Sequence, residues 1–198
     1  MLKEVENWCN KWRISVNTKK TKVVHFRPLK KKLTTATFVY GRTKLEIVSI
    51  YKYLGVVFDE FMEFKEGVQT LAGAGGRGLG KLFSSHRRLH GIGFKTYTHL
   101  FESSVDPIVL YGAGIWGTKR FTYSDSIQNR AQRMFLGVHR YACNEAVNAE
   151  MGWRAMFSKQ KMCVLRLWNR VCEMQENRLC KQIFLEDHRR CKKTGARM

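Results

Sequence analysis

The fold is decided by residues 36–58, ATFVYGRTKLEIVSIYKYLGVVF, which are rich in β-branched and aromatic side chains. Residues 36–40 and 44–50 each predict a β-strand, and the Gly-Arg-Thr sequence between them supplies the short connection of a hairpin. The residues from Tyr51 onward predict a further strand that is interrupted at Gly55, where we expect a bend or a close approach of the backbone. The stretch therefore predicts a small antiparallel sheet.

The residues before this sheet predict one helix and one strand. Apolar residues at intervals of three and four indicate an amphipathic helix that runs to about Ile14. A polar turn over residues 17–22 precedes an apolar strand over residues 22–26. The apolar stripe of the helix consists of Leu2, Val5, Cys9 and Trp12.

After Phe64 the apolar residues follow a helical period. A glycine cluster between residues 73 and 80 is expected to weaken the first helix or to form a loose turn. The sequence thus predicts an α+β fold, about two thirds helical, with a short N-terminal helix and a small antiparallel β-hairpin sheet before a mostly α-helical bundle. Further helices are predicted over residues 94–105, 107–116, 122–136, 144–150, 154–174 and 176–189.

Charge provides the first indication of function. The 198 residues carry 36 Lys and Arg against 16 Asp and Glu, a formal net charge of +20. Residues 19–32 hold seven basic and no acidic side chains, and residues 67–101 hold five basic and no acidic ones. Because solvated surfaces normally mix both signs, these segments predict contacts with the phosphates of a nucleic acid. A membrane is not expected as partner, since the basic helices lack a strong apolar insertion face.

Several classes of protein find no support. No apolar stretch is long enough to cross a bilayer about 30 Å thick, and the N-terminus has no apolar run typical of a signal peptide. We therefore expect an intracellular protein, nuclear or cytoplasmic, with its six cysteines reduced. No Cys-x-x-Cys pair is present, so no metal site is predicted. The spacing Gly73 to Gly78 matches a dinucleotide-binding loop, but no strand is predicted before it.

Three short motifs follow one another along the chain. They are Trp8-x-x-x-Trp12-Arg13-Ile14-Ser15-Val16-Asn17 with Lys20-Thr21-Lys22, then Tyr51-Lys52-Tyr53-Leu54-Gly55-Val56, then Leu110-Tyr111-Gly112 with Ile115-Trp116-Gly117. In this order they resemble the C-terminal part of a non-LTR (LINE-type) retrotransposon reverse transcriptase, over roughly residues 1–175.

The resemblance implies a division into three segments and a set of binding residues. Residues 1–65 would be the end of the palm with the primer-grip hairpin, residues 66–120 thumb-like helices, and residues 121–198 a post-thumb helical region with a basic tail. The hairpin would position the primer 3′ end, although packing remains the alternative for its apolar side chains. The predicted nucleic-acid contacts are Lys19, Lys20, Lys22, Tyr51, Lys52, Tyr53, Leu54, Gly55, Arg77, Lys81, Arg87, Arg88 and Lys95.

The resemblance also implies what the chain lacks. In the family, catalytic carboxylates on a palm strand and an aromatic-x-Asp-Asp turn precede the matched motifs, and no aromatic-x-Asp-Asp occurs in these residues. No catalytic residue is assigned, except that Lys20 is a candidate proton donor to the pyrophosphate leaving group or, alternatively, a turn lysine that touches phosphate. No cofactor is predicted for this chain, and Mg²⁺ is implied only for an intact polymerase.

We therefore predict a truncated reverse transcriptase (RNA-directed DNA polymerase) fragment of a transposable element. It is expected to bind RNA, DNA or an RNA–DNA hybrid without polymerising, and the missing upstream polymerase palm is a further candidate partner. Two alternatives stay open: the C-terminal piece of an active polymerase, and a host-recruited helical protein-interaction module.

Overall fold

The N-terminal helix of the computed structural model, α1 (Leu2–Lys11), ends slightly before the predicted limit at Ile14. Arg13 adopts a left-handed backbone with φ of 53°, and the Ile14 N–H donates to the Cys9 carbonyl at 2.9 Å. This geometry closes the helix in the manner of a Schellman motif.

The structure describes residues 1–194 and separates a unit Met1–Gly67 from a second unit that starts at Val68.

Six short strands follow α1 in the first unit and form three separate pairs. Two pairs are antiparallel, whereas Lys22–Val23 runs parallel to Glu46–Ile47. The two antiparallel pairs confirm the predicted antiparallel hairpin strands. The parallel pair joins segments far apart in the sequence and was not predicted. The strands are β1 (Lys22–Val23), β2 (Val39–Tyr40), β3 (Thr43–Lys44), β4 (Glu46–Ile47), β5 (Ile50–Tyr53) and β6 (Val56–Asp59).

β5 and β6 form a tight antiparallel hairpin where the sequence predicted one interrupted strand. Its two-residue connection has positive φ at both positions, 47° at Leu54 and 85° at Gly55. These values are typical of a type I′ turn, whose twist matches that of the flanking strands. Gly55 thus reverses the chain, which corrects the expected bend. A left-handed backbone at Leu54 costs about 1–2 kcal/mol, because the Cβ atom approaches a carbonyl oxygen.

Asp59 orders the connection between this hairpin and the next helix, α2 (Lys65–Arg88). Its carboxylate accepts hydrogen bonds from the N–H groups of Phe61 and Glu63, both at 3.0 Å, and of Phe64 at 2.7 Å. Burial raises the pKa of Asp59, but these backbone donors outweigh it, so that the pKa lies below its usual range.

We expect Asp59→Asn to lower the free energy of unfolding by about 1–2 kcal/mol at pH 7, because an amide NH₂ replaces one acceptor oxygen. The pKa of Asp59 is lowered in the folded state, so its contribution is present above the unfolded value of about 3.9 and is lost as the pH falls through the folded value. Urea unfolding at pH 7 and pH 3 measures the free energy of unfolding of Asp59→Asn and of the unaltered chain. Glu63→Gln is the matched control, and an Asp59→Asn effect that is equal at both pH values would contradict the assignment.

The second unit is helical and contains the larger core. Predicted helices 94–105, 122–136 and 144–150 match the structure within one residue at each end, whereas residues 107–116 form two short helices because Gly112 breaks the run with a φ of 68°. The structure is about 56% helical and 8% strand in its described part, which confirms the α+β class with less helix than expected. The helices are α3 (Phe94–Ser104), α4 (Asp106–Val109), α5 (Ala113–Trp116), α6 (Thr122–Leu136), α7 (Asn144–Met151), α8 (Met156–Glu173) and α9 (Leu179–Thr194).

The glycine cluster lies inside α2, which is continuous over 24 residues. The expectation of a loose turn is therefore wrong, whereas the expectation that the glycines weaken the helix stays a prediction. A Cβ atom on Gly75 would lie 2.3 Å from Cγ2 of Val109 in α4, and one on Gly78 would lie 3.4 Å from Cδ1 of Ile108. These two glycines allow α4 to approach the α2 backbone, and the packing compensates for their low helix propensity.

Aromatic side chains hold the centre of the second unit together. Tyr97 and Phe101 of α3 are fully buried, and the Phe101 ring stacks on Trp153 with the centroids 4.6 Å apart. The Tyr97 hydroxyl donates to the Ala131 carbonyl at 3.0 Å, and the Trp153 indole N–H donates to Thr98 Oγ1 at 3.0 Å. Each buried polar edge therefore has a partner, as these side chains require.

No helix within residues 1–194 is long and apolar enough to cross a membrane.

Candidate nucleic-acid interface

The outward face of α2 carries a row of basic side chains. Arg77, Lys81 and Arg88 follow the spacing i, i+4 and i+11, which places them on one side of the helix. All three are exposed, as is Arg87 in the same last turn. The opposite side is buried and consists of Val68, Ala72, Gly75, Leu79 and Leu82.

These basic groups have no acidic neighbour to neutralise them. In the described part of the chain, no salt bridge involves Arg77, Lys81, Arg87 or Arg88 of α2, nor Lys95 of α3. Arg87 and Arg88 lie at the C-terminus of α2, where cations also interact favourably with the helix dipole. The remaining charge is available to an anion, and we call Arg77, Lys81, Arg87 and Arg88 the α2 basic face.

The turn between α2 and α3 places Lys95 next to the end of this face. The Ile92 N–H donates to Nδ1 of His86 at 3.0 Å, and the Gly91 N–H donates to the His86 carbonyl at 3.0 Å. These bonds fix the reversal of the chain directly after Arg88. Lys95 lies exposed in the first turn of α3, and we call Arg87, Arg88 and Lys95 the basic corner.

The first basic segment, residues 19–32, is only partly available for phosphate. Lys19 and Lys20 are exposed, but Lys22 forms an ion pair with Glu46 across the β1–β4 pair. Arg27 pairs with Glu60 at 2.8 Å and lies over the Phe61 ring. Two of the seven basic side chains therefore stabilise the first unit, a use that the local sequence did not indicate.

The predicted hairpin residues lie together at one end of the first unit. The Tyr51 hydroxyl donates to the Lys20 carbonyl at 3.1 Å, which connects the hairpin to the polar turn before β1. Lys52, Tyr53 and Leu54 are exposed, with Tyr53 at 59% and Leu54 at 74%. The structure thus brings Lys20 and the hairpin together, while the α2 basic face belongs to the second unit.

The acidic residues do not offer a magnesium site. Asp59 accepts three backbone N–H groups, Glu60 pairs with Arg27, and Glu186 pairs with Arg190 at 3.1 Å. Among residues 1–194 no three His, Cys, Asp or Glu side chains come close enough to hold a metal ion. The donor set therefore does not fit the two-metal chemistry of an intact polymerase, which needs converging carboxylates.

One exposed feature of the second unit was missed in the sequence analysis. Residues His139, Arg140 and Tyr141 lie in a turn between α6 and α7, and the Tyr141 side chain is 75% exposed. A signal was present, since His139, Arg140 and Tyr141 follow one another in the short segment between Gly137 and the next helix. Comparison with models of protein families, with curated proteins and with solved structures gives no match.

Proposed function

We propose that the chain is a grip-and-thumb fragment of a LINE-type reverse transcriptase that binds a primer-template nucleic acid through its backbone. The observation that carries the proposal is the α2 basic face, four exposed cations without acidic partners in the described residues, on a helix whose other side is buried. A row of fixed positive charge along about 16 Å of helix suits a phosphate backbone, whose charges repeat every 3.4 Å along one strand.

The hairpin of β5 and β6 supports the same proposal. Its exposed tip carries Tyr53 and the strained Leu54, and Lys52 adds a cation to the same strand. In the proposed role this tip contacts the primer end, while the basic surfaces follow the backbone without reading sequence. In this proposal the fragment binds without polymerising, because the family resemblance places the catalytic carboxylates before the matched motifs. The proposed location of this binding is inside the cell.

The test replaces Arg77, Lys81, Arg87 and Arg88 by glutamine and measures affinity for an RNA–DNA hybrid by fluorescence anisotropy at several salt concentrations. Each lost phosphate contact lowers the dependence of log K on log salt by about 0.7–0.9, so we expect the slope to fall by about 3. The affinity at low salt is expected to fall by roughly 100-fold or more, because four counterion-releasing contacts are lost.

The matched control replaces four exposed cations of the same unit that lie outside α2, Lys119, Arg154, Arg166 and Arg170, by glutamine. Both variants have the same net charge, so a simple charge effect would change both slopes equally and would overturn the assignment of the α2 basic face. Affinity of the unaltered chain no greater than that of an equally charged unstructured peptide would instead favour the protein-interaction module. Primer extension with Mg²⁺ would contradict the prediction of an inactive fragment.

A further inference from the structure

The turn over residues 139–141 presents an aromatic ring to solvent between two cationic or polar neighbours. The Arg140 guanidinium lies 4.6 Å from the centroid of the Tyr141 ring, and the His139 ring lies 5.1 Å from it. The Tyr141 side chain is nevertheless 75% exposed, which leaves most of the ring accessible. We propose that this turn binds unpaired bases of a single-stranded nucleic acid by stacking on Tyr141, while the basic corner holds phosphates of the same strand.

The turn is held in place by its own hydrogen bonds. The Ala142 N–H donates to the His139 carbonyl at 2.9 Å, which closes the turn. Arg133 of α6 donates from Nη2 to the Ala142 carbonyl at 2.7 Å and to Asn144 Oδ1 at 2.5 Å. A loop fixed before binding loses less conformational entropy when a ligand arrives, so the exposed ring is suited to binding.

The position of the turn links it to the basic corner. Phe135, near the end of α6, contacts the His86 ring at 5.9 Å and the Phe94 ring at 5.7 Å between centroids. His86 and Phe94 flank the reversal between α2 and α3, directly next to Arg87, Arg88 and Lys95. Tyr141 lies six positions after Phe135 in the chain, so its Cα atom is at most about 21 Å from the Cα atom of Phe135. A strand of a few nucleotides spans that distance.

The chemistry of the turn favours single strands over duplexes. Bases in a duplex already stack on one another, whereas an unpaired base has a free face for an aromatic side chain. Arg140 supplies a cation beside the ring, and the combination of stacking surface and positive charge is typical of single-strand binding. This inference rests on the proposed function, because it assumes that the basic corner binds nucleic-acid phosphates.

The experiment uses the full chain and a single-stranded 12-nucleotide DNA that contains 2-aminopurine, the duplex of the same sequence, and a strand of equal length with abasic central positions. Anisotropy measures affinity, and 2-aminopurine quenching reports stacking. Tyr141→Ala is expected to weaken binding of the intact single strand by roughly 5- to 150-fold, with an unchanged salt slope. Tyr141→Phe should keep affinity and quenching, and Tyr141→Ala should leave duplex binding within about twofold.

Different outcomes separate this inference from the proposed function. Stacking would be overturned if Tyr141→Ala weakened binding of the single strand and of the duplex equally, or of the intact and abasic strands equally. In that case the four-residue variant of the α2 basic face could still show a lower salt slope. Stacking would also be overturned if 2-aminopurine fluorescence were not quenched in the complex with the unaltered chain. If the four-residue variant of the α2 basic face leaves the slope unchanged but Tyr141→Ala selectively weakens the single strand, stacking stands and the basic face is wrong. An exposed ring that instead binds a protein predicts no difference for any of the three DNA ligands.

Discussion

Replacing Lys159 by methionine is expected to lower the free energy of unfolding by about 3–5 kcal/mol at neutral pH. Lys159 Nζ of α8 lies 2.6 Å from Oδ2 of Asp106 in α4, and the two side chains are only 13% and 10% exposed. The other carboxylate oxygen, Oδ1, has no hydrogen-bond partner among the described residues. Methionine keeps the apolar stem of the side chain but leaves the Asp106 charge buried and unpaired.

The loss of stability in Lys159→Met should depend on pH. Burial raises the pKa of Asp106, and the hydrogen bond and charge of Lys159 lower it in opposition, with burial the larger effect. Without Lys159 the folded-state pKa rises further, while the unfolded value stays near 3.9. A carboxyl with a raised folded pKa binds more protons when folded, so the variant loses stability as the pH rises from about 4 towards that folded value. The difference from the unaltered chain is therefore smallest near pH 4.

Urea unfolding from pH 4 to 7.5 measures the free energy of unfolding of three variants. They are Lys159→Met, the double variant Lys159→Met with Asp106→Asn, and Lys161→Met. The double variant buries no charge and should recover most of the stability at neutral pH. Lys161 is an exposed neighbour on α8, and its replacement should cost less than about 1 kcal/mol. A single variant as stable as the double one at pH 7.5 would show that Asp106 does not need this partner.

The second large effect is expected from Gly75→Ala, which should lower the free energy of unfolding by about 1–3 kcal/mol. The new Cβ atom would lie 2.3 Å from Cγ2 of Val109, which is fully buried and β-branched and so has little freedom to move. The clash separates α2 from α4 in the centre of the core. The same change at an open position of α2 should act in the opposite direction.

Gly80→Ala is the matched control, because a Cβ atom there meets nothing within 4 Å and the position is exposed. It should raise stability by about 0.5–1 kcal/mol through the better helix propensity of alanine. Thermal unfolding followed by helix circular dichroism compares the two variants. If both variants changed stability in the same direction, the close approach of α2 and α4 would be wrong.

Much of the helical part could be predicted because helices form from local periodicity. The limits of α3, α6 and α7 follow from the spacing of apolar residues and from the glycines after α6 and α7, Gly137 and Gly152, which adopt left-handed φ values of 66° and 59°. The absence of acidic residues from 67 to 101 indicated a basic surface that includes Arg77, Lys81 and Arg88, and the structure added that they share one side of a helix. The residue pattern alone predicted one interrupted strand in place of the β5–β6 hairpin, because the turn places leucine in a conformation that normally favours glycine or asparagine. The family resemblance did imply a hairpin at these residues.

The sequence by itself determined the α+β class, the positions of most helices and the excess of positive charge, since periodicity and net charge are properties of neighbouring residues. Only the tertiary structure decided which charges are neutralised, as for Lys22 by Glu46 and Asp106 by Lys159, and which glycine is required, as for Gly75 against Val109. It also decided that Tyr141 is exposed. These outcomes depend on contacts between residues 24 to 53 positions apart, and such contacts exist only once the helices and strands are packed.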